Sequence, residues 1–478
     1  MNFKITVAPK LIPNQSIALL VNKETKLNYL FLTKQELDFA KKKINNSETS
    51  ISINQYNRYI YIQVIDLKKE AYRITEACRK AGSNIQGFAT KSKLQDIQLI
   101  SELKDNNLLI AFVEGLALSL YRFTKYLKED KEKQNVLKNI TIAEHAISEK
   151  LIFELESTIE SVFIARDLIN EPVNHLNAVQ MGQEIENLGK KAGFAVQVFN
   201  KKKIESLKMG GLLAVNKGSV DPPTFSILEW KPKNKSNKKP FVIVGKGVVY
   251  DTGGLSLKPT NDSMDYMKSD MSGAAAVAGL FNLLARTKLP IHVIGLIPST
   301  DNRPGGNAYA PGDIVTMFDG TTVEMMNSDA EGRMILADAL AYAKRYKPEL
   351  VIDLSTLTGA AAIALGPHAM AGMGNASRDV MSQLIKSGEN VFERIVEFPF
   401  WEEYDELIKS DIADLKNIGG RYGGSIVGGK FMEHFTDYPY IHLDIAGVAF
   451  NKKPDTYRTL GGVGVGIRLI FDFLKNNK

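Results

Sequence analysis

Three short apolar runs, FVIVGKGVVY (241–250), IHVIGLIPST (291–300) and ELVIDLST (349–356), leave this chain few architectures to adopt. Each is rich in Val, Ile and Leu and lacks a polar face, the pattern of a strand buried on both sides. Stretches of helical composition stand between them, GAAAVAGLFNLLART (273–287) and RMILADALAYAKRY (333–346). Strands of that kind alternating with helices call for a mainly parallel or mixed sheet sandwiched by helices, so the expected fold class is α/β. In such sheets chemistry gathers at the carboxyl ends of the strands.

The N-terminal part mixes the two patterns. SIALLVN (16–22), YLFLT (29–33) and YIYIQVID (59–66) read as strands, and KKEAYRITEACRKAG (68–82) as a helix closed by its glycine. NNLLIAFVEGLALSLYRFTKYLK (106–128) reads as a strand leading into a helix, and the charged segment 128–141 as a linker. LIFELESTIESVFIARDLIN (151–170) is a long helix ended by the proline of EPVN. The expected organisation is a smaller N-terminal α/β domain (1–140), a connecting helix (141–170) and a larger catalytic domain (171–478) with a central mixed sheet flanked by helices.

Several function classes fall away early. No stretch approaches the roughly 20 uninterrupted apolar residues of a membrane helix. The start, MNFKITVAPKLIPNQS, lacks a secretory pattern, and the single cysteine, Cys78, fits a reducing compartment. A cytoplasmic location without a membrane partner is expected. The net charge of +6 is dispersed in tracts such as KPKNKSNKK (231–239), so no nucleic-acid partner is expected. GSIVGGK (424–430) has phosphate-loop spacing, but Phe431 stands where Ser or Thr should hold magnesium. GGVGVGIRL (461–469) misses dinucleotide spacing and reads as close packing or a turn. The six histidines are scattered with no His-Glu-x-x-His, and no Gly-x-Ser-x-Gly marks a serine nucleophile. Oxygen ligands are the better place to look.

NSDAEGR (327–333) puts Asp329 and Glu331 one residue apart, directly before an apolar helix. In an extended segment both carboxylates would share a face. Two such charges in a partly buried place repel unless a cation lies between them. Arg333 can neutralise one. Further acids stand upstream, Asp251 between Lys246 and Lys258, and Asp270 ahead of the Ala-rich helix. Singly, each acid reads as an N-cap or turn residue. As a set of hard oxygen donors at element edges, they point to divalent cations and metal-assisted hydrolysis. Asp353 and Asp444 read as paired core carboxylates, and Asp338 as bonded within its own helix.

NSDAEGR resembles the signature of the leucyl (cytosol) aminopeptidases, with Ser328 in place of threonine. VGKGVVYDTGGLSLKP (244–259), ARDLINEPVN (165–174), DLSTLTGA (353–360) and HLDIAG (442–447) resemble further blocks of that family, in family order. The resemblance runs from about Ala111 to near the C-terminus. It implies a dinuclear metallopeptidase in which Lys246, Asp251, Asp270, Asp329 and Glu331 bind two divalent ions (zinc, manganese or magnesium). Asp251 and Glu331 bridge the pair, and Lys246 is uncharged or metal-bound. By the same resemblance Lys258 polarises the scissile carbonyl, Arg333 holds bicarbonate, and a metal-bridging water attacks a peptide with a free N-terminus. Met267, Asn327, Thr356, Leu357, Gly359, Ala446 and Ala449 line the side-chain pocket, which suits Leu and other apolar N-terminal residues. A homohexamer is implied as well.

This sequence departs from the family in three places: one extra residue between Lys258 and Asp270, Ser328, and Ala310 where a basic residue is common. An inactive scaffold and a phosphoesterase remain as rival readings. All seven working residues are retained, which speaks against the first; only Arg333 is near enough to face a phosphate, which speaks against the second.

Overall fold

A computed structural model describes residues 3–27, 29, 31–128 and 137–477. The chain divides into two compact units, one formed by 1–160 with 453–459, the other by 161–452 with 460–478.

The first unit contains β1 (Lys4–Ala8), β2 (Ser16–Asn22), α1 (Lys34–Asn45), β3 (Ser50–Asn54), β4 (Tyr59–Ile65), α2 (Ala71–Lys91), β5 (Asp96–Ser101), α3 (Asn106–Ser119) and β6 (Asn139–Ala143), followed by the start of α4 (Glu149–Asn170). Its sheet runs β1-β6-β5-β2-β4-β3, parallel except for the pairing of β3 with β4. Four expectations need correction. The described residues of 29–33 form no strand; Thr33 instead caps α1 in a capping box with Glu36. Residues 106–119 are helical from the start, with Asp105 as N-cap, so no strand precedes that helix. The proposed linker ends in β6, in which Ile140 to Ala143 are all buried, while its residues 129–136 lie outside the described residues. And α2 does not stop at Gly82. A Cβ there would lie 2.0 Å from the Phe112 carbonyl oxygen, and one on Gly115 would lie 1.9 Å from that of Arg79. The glycine marks the close crossing of α2 and α3, a use of glycine that sequence does not separate from a helix end.

In the second unit come α5 (Ala178–Ala192), β7 (Ala195–Phe199), α6 (Lys201–Leu207), α7 (Gly210–Asn216), β8 (Thr224–Trp230), β9 (Phe241–Gly245), β10 (Gly247–Asp251), α8 (Ser272–Thr287), β11 (Val293–Asn302), β12 (Asp313–Thr316) and β13 (Thr322–Met325). Then follow α9 (Glu331–Ala343), β14 (Leu350–Ser355), α10 (Gly359–Leu365), β15 (Met370–Gly374), α11 (Arg378–Val391), β16 (Ile395–Glu397), β17 (Leu415–Lys416), α12 (Gly424–Glu433), β18 (Tyr440–Asp444) and α13 (Ile467–Asn476). The main sheet runs β16-β15-β18-β14-β9-β11-β8-β7, with β10 also on β11. Its centre, β18-β14-β9-β11, is parallel and its flanks are antiparallel, so the sheet is mixed and helix-covered, as expected. Every residue of β9, β14 and β18 is buried, which explains their unbroken apolar runs. An extensive core joins α7, α9 and α12 to this sheet through Leu212, Met334, Leu336, Leu340, Phe431 and Tyr440.

Two polar groups within that core differ in outcome. Asp353 is paired, as expected: it accepts from the Tyr440 hydroxyl at 2.6 Å and lies 3.0 Å from His442 Nδ1. Asp338 does not bond within its helix. It accepts from the backbone N–H of Leu212 and of Phe318, each at 2.9 Å, and so ties α7 and the turn after β12 to α9. Burial lifts its pKa to about 7 despite those bonds. GSIVGGK belongs to α12, and Gly461, Gly464 and Gly466 adopt positive φ before α13.

Candidate metal centre and active site

Five parallel strands end on one rim. β9 hands over to Lys246, β10 ends in Asp251, β11 in Asn302, β14 is followed by Thr356, and β18 ends in Asp444. After Asp251 the backbone turns through Gly253 and Gly254 at φ +84° and +62°, values that favour glycine. The turn lets the Gly253 N–H donate to Asp251 Oδ1 at 2.8 Å and returns the chain to Lys258. Asn302 Nδ2 donates to the same oxygen at 2.9 Å, and Lys258 Nζ sits 2.9 Å from Oδ2. Lys258 also pairs with Asp329.

Asp329 and Glu331 converge by another route than the extended segment expected. Asp329 lies in a turn, its N–H held by Asn327 Oδ1 at 2.8 Å, and Glu331 opens α9 behind the N-cap Ala330. The turn itself is bound by Asn417. Its Oδ1 accepts from the N–H of Met326 and Asn327, and its Nδ2 donates to the Asn327 carbonyl. All of α9 is buried, so the acids are anchored to a rigid element.

Lys246 Nζ reaches Asp270 Oδ1 at 2.9 Å, Glu331 Oε1 at 3.0 Å and the Thr356 carbonyl at 2.9 Å. The glycine of NSDAEGR makes room for this amine. A Cβ on Gly332 would lie 2.5 Å from Lys246 Cε and 2.7 Å from Nζ. Asp270 joins the cluster through Lys246, and in the loop before it exposed Asp262 has φ +58° and pairs with Lys452. Ser328 uses its hydroxyl, accepting from Ser256 N–H and donating to the Gly253 carbonyl, both at 2.7 Å.

Carboxylate oxygens of Asp251, Asp329 and Glu331 lie within 4.8 Å of one another, the sole such grouping among the described residues. Asp270 stands outside that trio and joins it through Lys246. Burial and mutual repulsion raise these acids. Glu331 rises to about 8, by burial first and then by Asp251, and Asp270 to about 6, by burial and Asp251 against the pull of Lys246. Asp329 is raised for the same reasons. Burial opposes the charge on both lysines, but the carboxylates outweigh it and hold Lys246 and Lys258 above the ordinary lysine value. The expectation of an uncharged Lys246 is therefore not met by the protein's own charges; removing its proton needs a further cation.

Two oxygens, Asp270 Oδ2 and Glu331 Oε2, are buried without a hydrogen-bond partner. Leaving such atoms unpaired is costly, and hard anionic donors of this kind suit divalent ions. The ammonium groups occupy the place between the acids that such ions would take. The residues present fit the group. Arg333, buried in α9, donates to the Asn417 carbonyl at 2.7 Å while its Nε has no partner. Burial lowers its pKa to about 10, which leaves it charged at neutral pH.

The proposed pocket residues take different positions. Thr356 donates to Asp270 Oδ1 at 2.8 Å, and Leu357 packs half-buried beside it. Gly359 is exposed at the start of α10, Ala446 is half-buried after β18, and Ala449 is fully buried. Met267 lies half-buried in the short helix Met264–Ser269, and Asn327 braces Asp329. Asn302 and Asn417 escaped the sequence reading, because a lone asparagine in a loop carries no spacing signal.

With this geometry in view, comparison with known proteins adds three findings. Residues 163–471 match the pattern of the Cytosol aminopeptidase family, catalytic domain. A "probable cytosol aminopeptidase" of Chlorobaculum tepidum is 46% identical over 398 residues, 80% of this chain and 78% of that one. Another, of Clostridium perfringens, is 40% identical over 407 residues, 84% of this chain and 82% of that one. Among solved structures, the bottromycin maturation enzyme BotP in complex with Mn superposes with a TM-score of 0.84 at 27% identity, covering 97% of this chain and 99% of that one. A tomato leucine aminopeptidase variant shares the fold over 99% of this chain and 97% of its own, with TM-score 0.88 at 24% identity.

Proposed function

The chain belongs to the cytosol aminopeptidase family of metal-dependent aminopeptidases, and on that premise we propose a site, a mechanism and a preference for it. Lys246, Asp251, Asp270, Asp329 and Glu331 would hold two divalent ions, with Asp251 and Glu331 shared between them. The observation that carries this is the pair of orphaned oxygens, Asp270 Oδ2 and Glu331 Oε2, beside three converging carboxylates. The ions, when bound, supply Lewis acidity that activates water for attack and binds the substrate's free α-amine.

The remaining work falls to the chain. Lys258, kept charged by Asp251, Asp329 and Glu331, donates toward the carbonyl oxygen as negative charge develops on it. Arg333, with Nη1 bonded to the Asn417 carbonyl and Nε unpartnered, would hold bicarbonate, keeping a base beside the cluster. α9 and the core behind it exclude water and fix the acids. Manganese is the first ion to try, since BotP carries it, with zinc and magnesium as alternatives.

Met267, Asn327, Thr356, Leu357, Gly359, Ala446 and Ala449 would form the side-chain pocket, whose apolar members favour Leu or Met. Such a pocket discriminates by about 1–3 kcal/mol per methylene. A homohexamer is what the family resemblance implies, and light scattering tests it directly. A cytoplasmic location follows the relatives' names.

The test compares Leu-p-nitroanilide, its N-acetylated form and p-nitrophenyl phosphate with added manganese. Turnover of the first alone, abolished by a chelator, is expected. Equal cleavage of the blocked substrate would remove the amine-binding step, and phosphatase activity would replace the reading.

A further inference from the structure

Asp444 was expected to be an ordinary core carboxylate. It closes β18 directly opposite Ser355, the last residue of β14, at the point where both strands leave the sheet. Its side chain is buried and collects the first polar groups of both departing loops. Oδ1 accepts from the N–H of Leu357 at 3.2 Å, Thr358 at 3.4 Å and Ala446 at 3.2 Å. Oδ2 accepts from the Thr358 hydroxyl at 2.6 Å and lies 3.4 Å from that of Ser425. The Thr358 hydroxyl oxygen in turn accepts from the Ala361 N–H and caps α10.

One carboxylate thus ties the loop that follows β14 to the loop that follows β18. The first carries Leu357 and Gly359, the second Ala446 and Ala449, which are the two sides of the proposed pocket. The ion ligands hang on other supports. Asp251 and Glu331 are held by Asn302, Gly253 and Lys246, and Asp329 by Lys258 and the turn at Asn327. Among the described residues Thr356 links the two sets through Asp270 and Lys246, and the Asp444 charge also acts on Arg333. Charge-assisted bonds of this kind are stronger than neutral ones, so the span between the two loops rests heavily on this residue.

We propose that Asp444 is a positioning residue that sets the width of the side-chain pocket by clamping the 356–359 loop to the 446–449 loop. It determines selectivity for the N-terminal residue without touching substrate. The inference rests on the pocket assignment made above.

Asn is nearly isosteric with Asp but brings an N–H2 that must face donors on one side or the other. In Asp444→Asn, KM for Leu-p-nitroanilide should therefore rise about tenfold, from loss of a hydrogen bond to a charged group. The ratio of kcat/KM for Leu over Ala p-nitroanilide should fall toward one, while manganese content and kcat stay within about twofold. Thr358→Val removes the shortest bond together with the N-cap of α10 but leaves the carboxylate its backbone donors, and should shift the same ratio less; Thr358→Ser should restore it. That pair keeps the inference testable if Asp444→Asn does not fold. An unchanged Leu/Ala ratio in Asp444→Asn and Thr358→Val overturns the proposal. So does an equal loss of kcat on both substrates together with lost manganese, which would place Asp444 in the support of the ions. If the wild-type protein hydrolyses neither anilide, the proposed function fails instead, and the two failures are separable.

Discussion

Both units bury charge, and they do so in different ways. In the first, Glu76, Arg79 and Glu114 lie buried between α2 and α3, where Arg79 Nε meets Glu114 at 2.6 Å and Nη1 lies 3.6 Å from Glu76. Tyr457 donates to Glu76 at 2.8 Å, and Arg458 adds a second guanidinium 3.4 Å away. Planar cations meet both acids and a hydroxyl also meets Glu76, and among the described residues neither glutamate has a buried oxygen without a partner. In the second unit four acids share two ammonium groups at the rim of the sheet, and two of their oxygens stay orphaned. A guanidinium holds acids in a set geometry and does not give up its proton, whereas a lysine amine can lose its proton to make way for a metal. Buried charge is structural where it is saturated and functional where it is not.

The sharpest way to break this contrast is Glu331→Ala, which should cost at least about a thousandfold in kcat/KM and remove bound metal together, as loss of a shared ligand would. Full metal content in that variant, measured by elemental analysis, would show that the ligand assignment is wrong. Next comes Arg79→Met. Removing one partner of a buried ion pair costs about 3–5 kcal/mol, so denaturant unfolding should shift strongly while metal content of the folded protein stays at the wild-type level. Gly332→Ala pushes a methyl into Lys246, and kcat/KM should fall about a hundredfold with a far smaller loss of stability.

The pH response should be gentler. Glu331 near 8 and Asp270 near 6 must both be ionised to bind a cation. Above pH 8 both are ready. As pH falls from 8 to 6, the ion must displace a proton from Glu331 in addition to that of Lys246, so manganese affinity should drop by more than about tenfold per unit, and more steeply below 6 when Asp270 joins them. Isothermal titration at pH 6, 7 and 8 measures this; a flat profile would mean that these acids do not contact the ion. Smallest of all, Lys452→Ala opens an exposed pair with Asp262 and a cation–π contact with Tyr266, and should leave kcat/KM within about twofold. A larger change would mean that the loop with the extra residue shapes the site.

How much of this was legible beforehand varies by element. The central sheet was, because strands such as LVIDLS are buried on both faces and carry no competing pattern. The acids, Lys246, Lys258 and Arg333 were legible as motifs, since their chemistry needs those residue types. Their geometry was not: Asp329 and Glu331 meet through a helix start rather than along a strand, and a two-residue spacing serves either. The N-terminal part misled where one residue type has two uses. Gly82 serves a helix crossing rather than a helix end, and residues 106–110 are apolar enough to resemble a strand although Asp105 caps a helix. Asn302, Asn417 and the Asp444 clamp stayed hidden because the partners that define them lie tens of residues away.

The central claim is that Lys246, Asp251, Asp270, Asp329 and Glu331 enclose a pair of cations. Anomalous diffraction from manganese-soaked crystals tests it most directly. The account predicts two peaks about 3.5–4 Å apart, with Asp270 Oδ2 and Glu331 Oε2 among the ligand atoms. A single peak, or peaks away from these five residues, would contradict it.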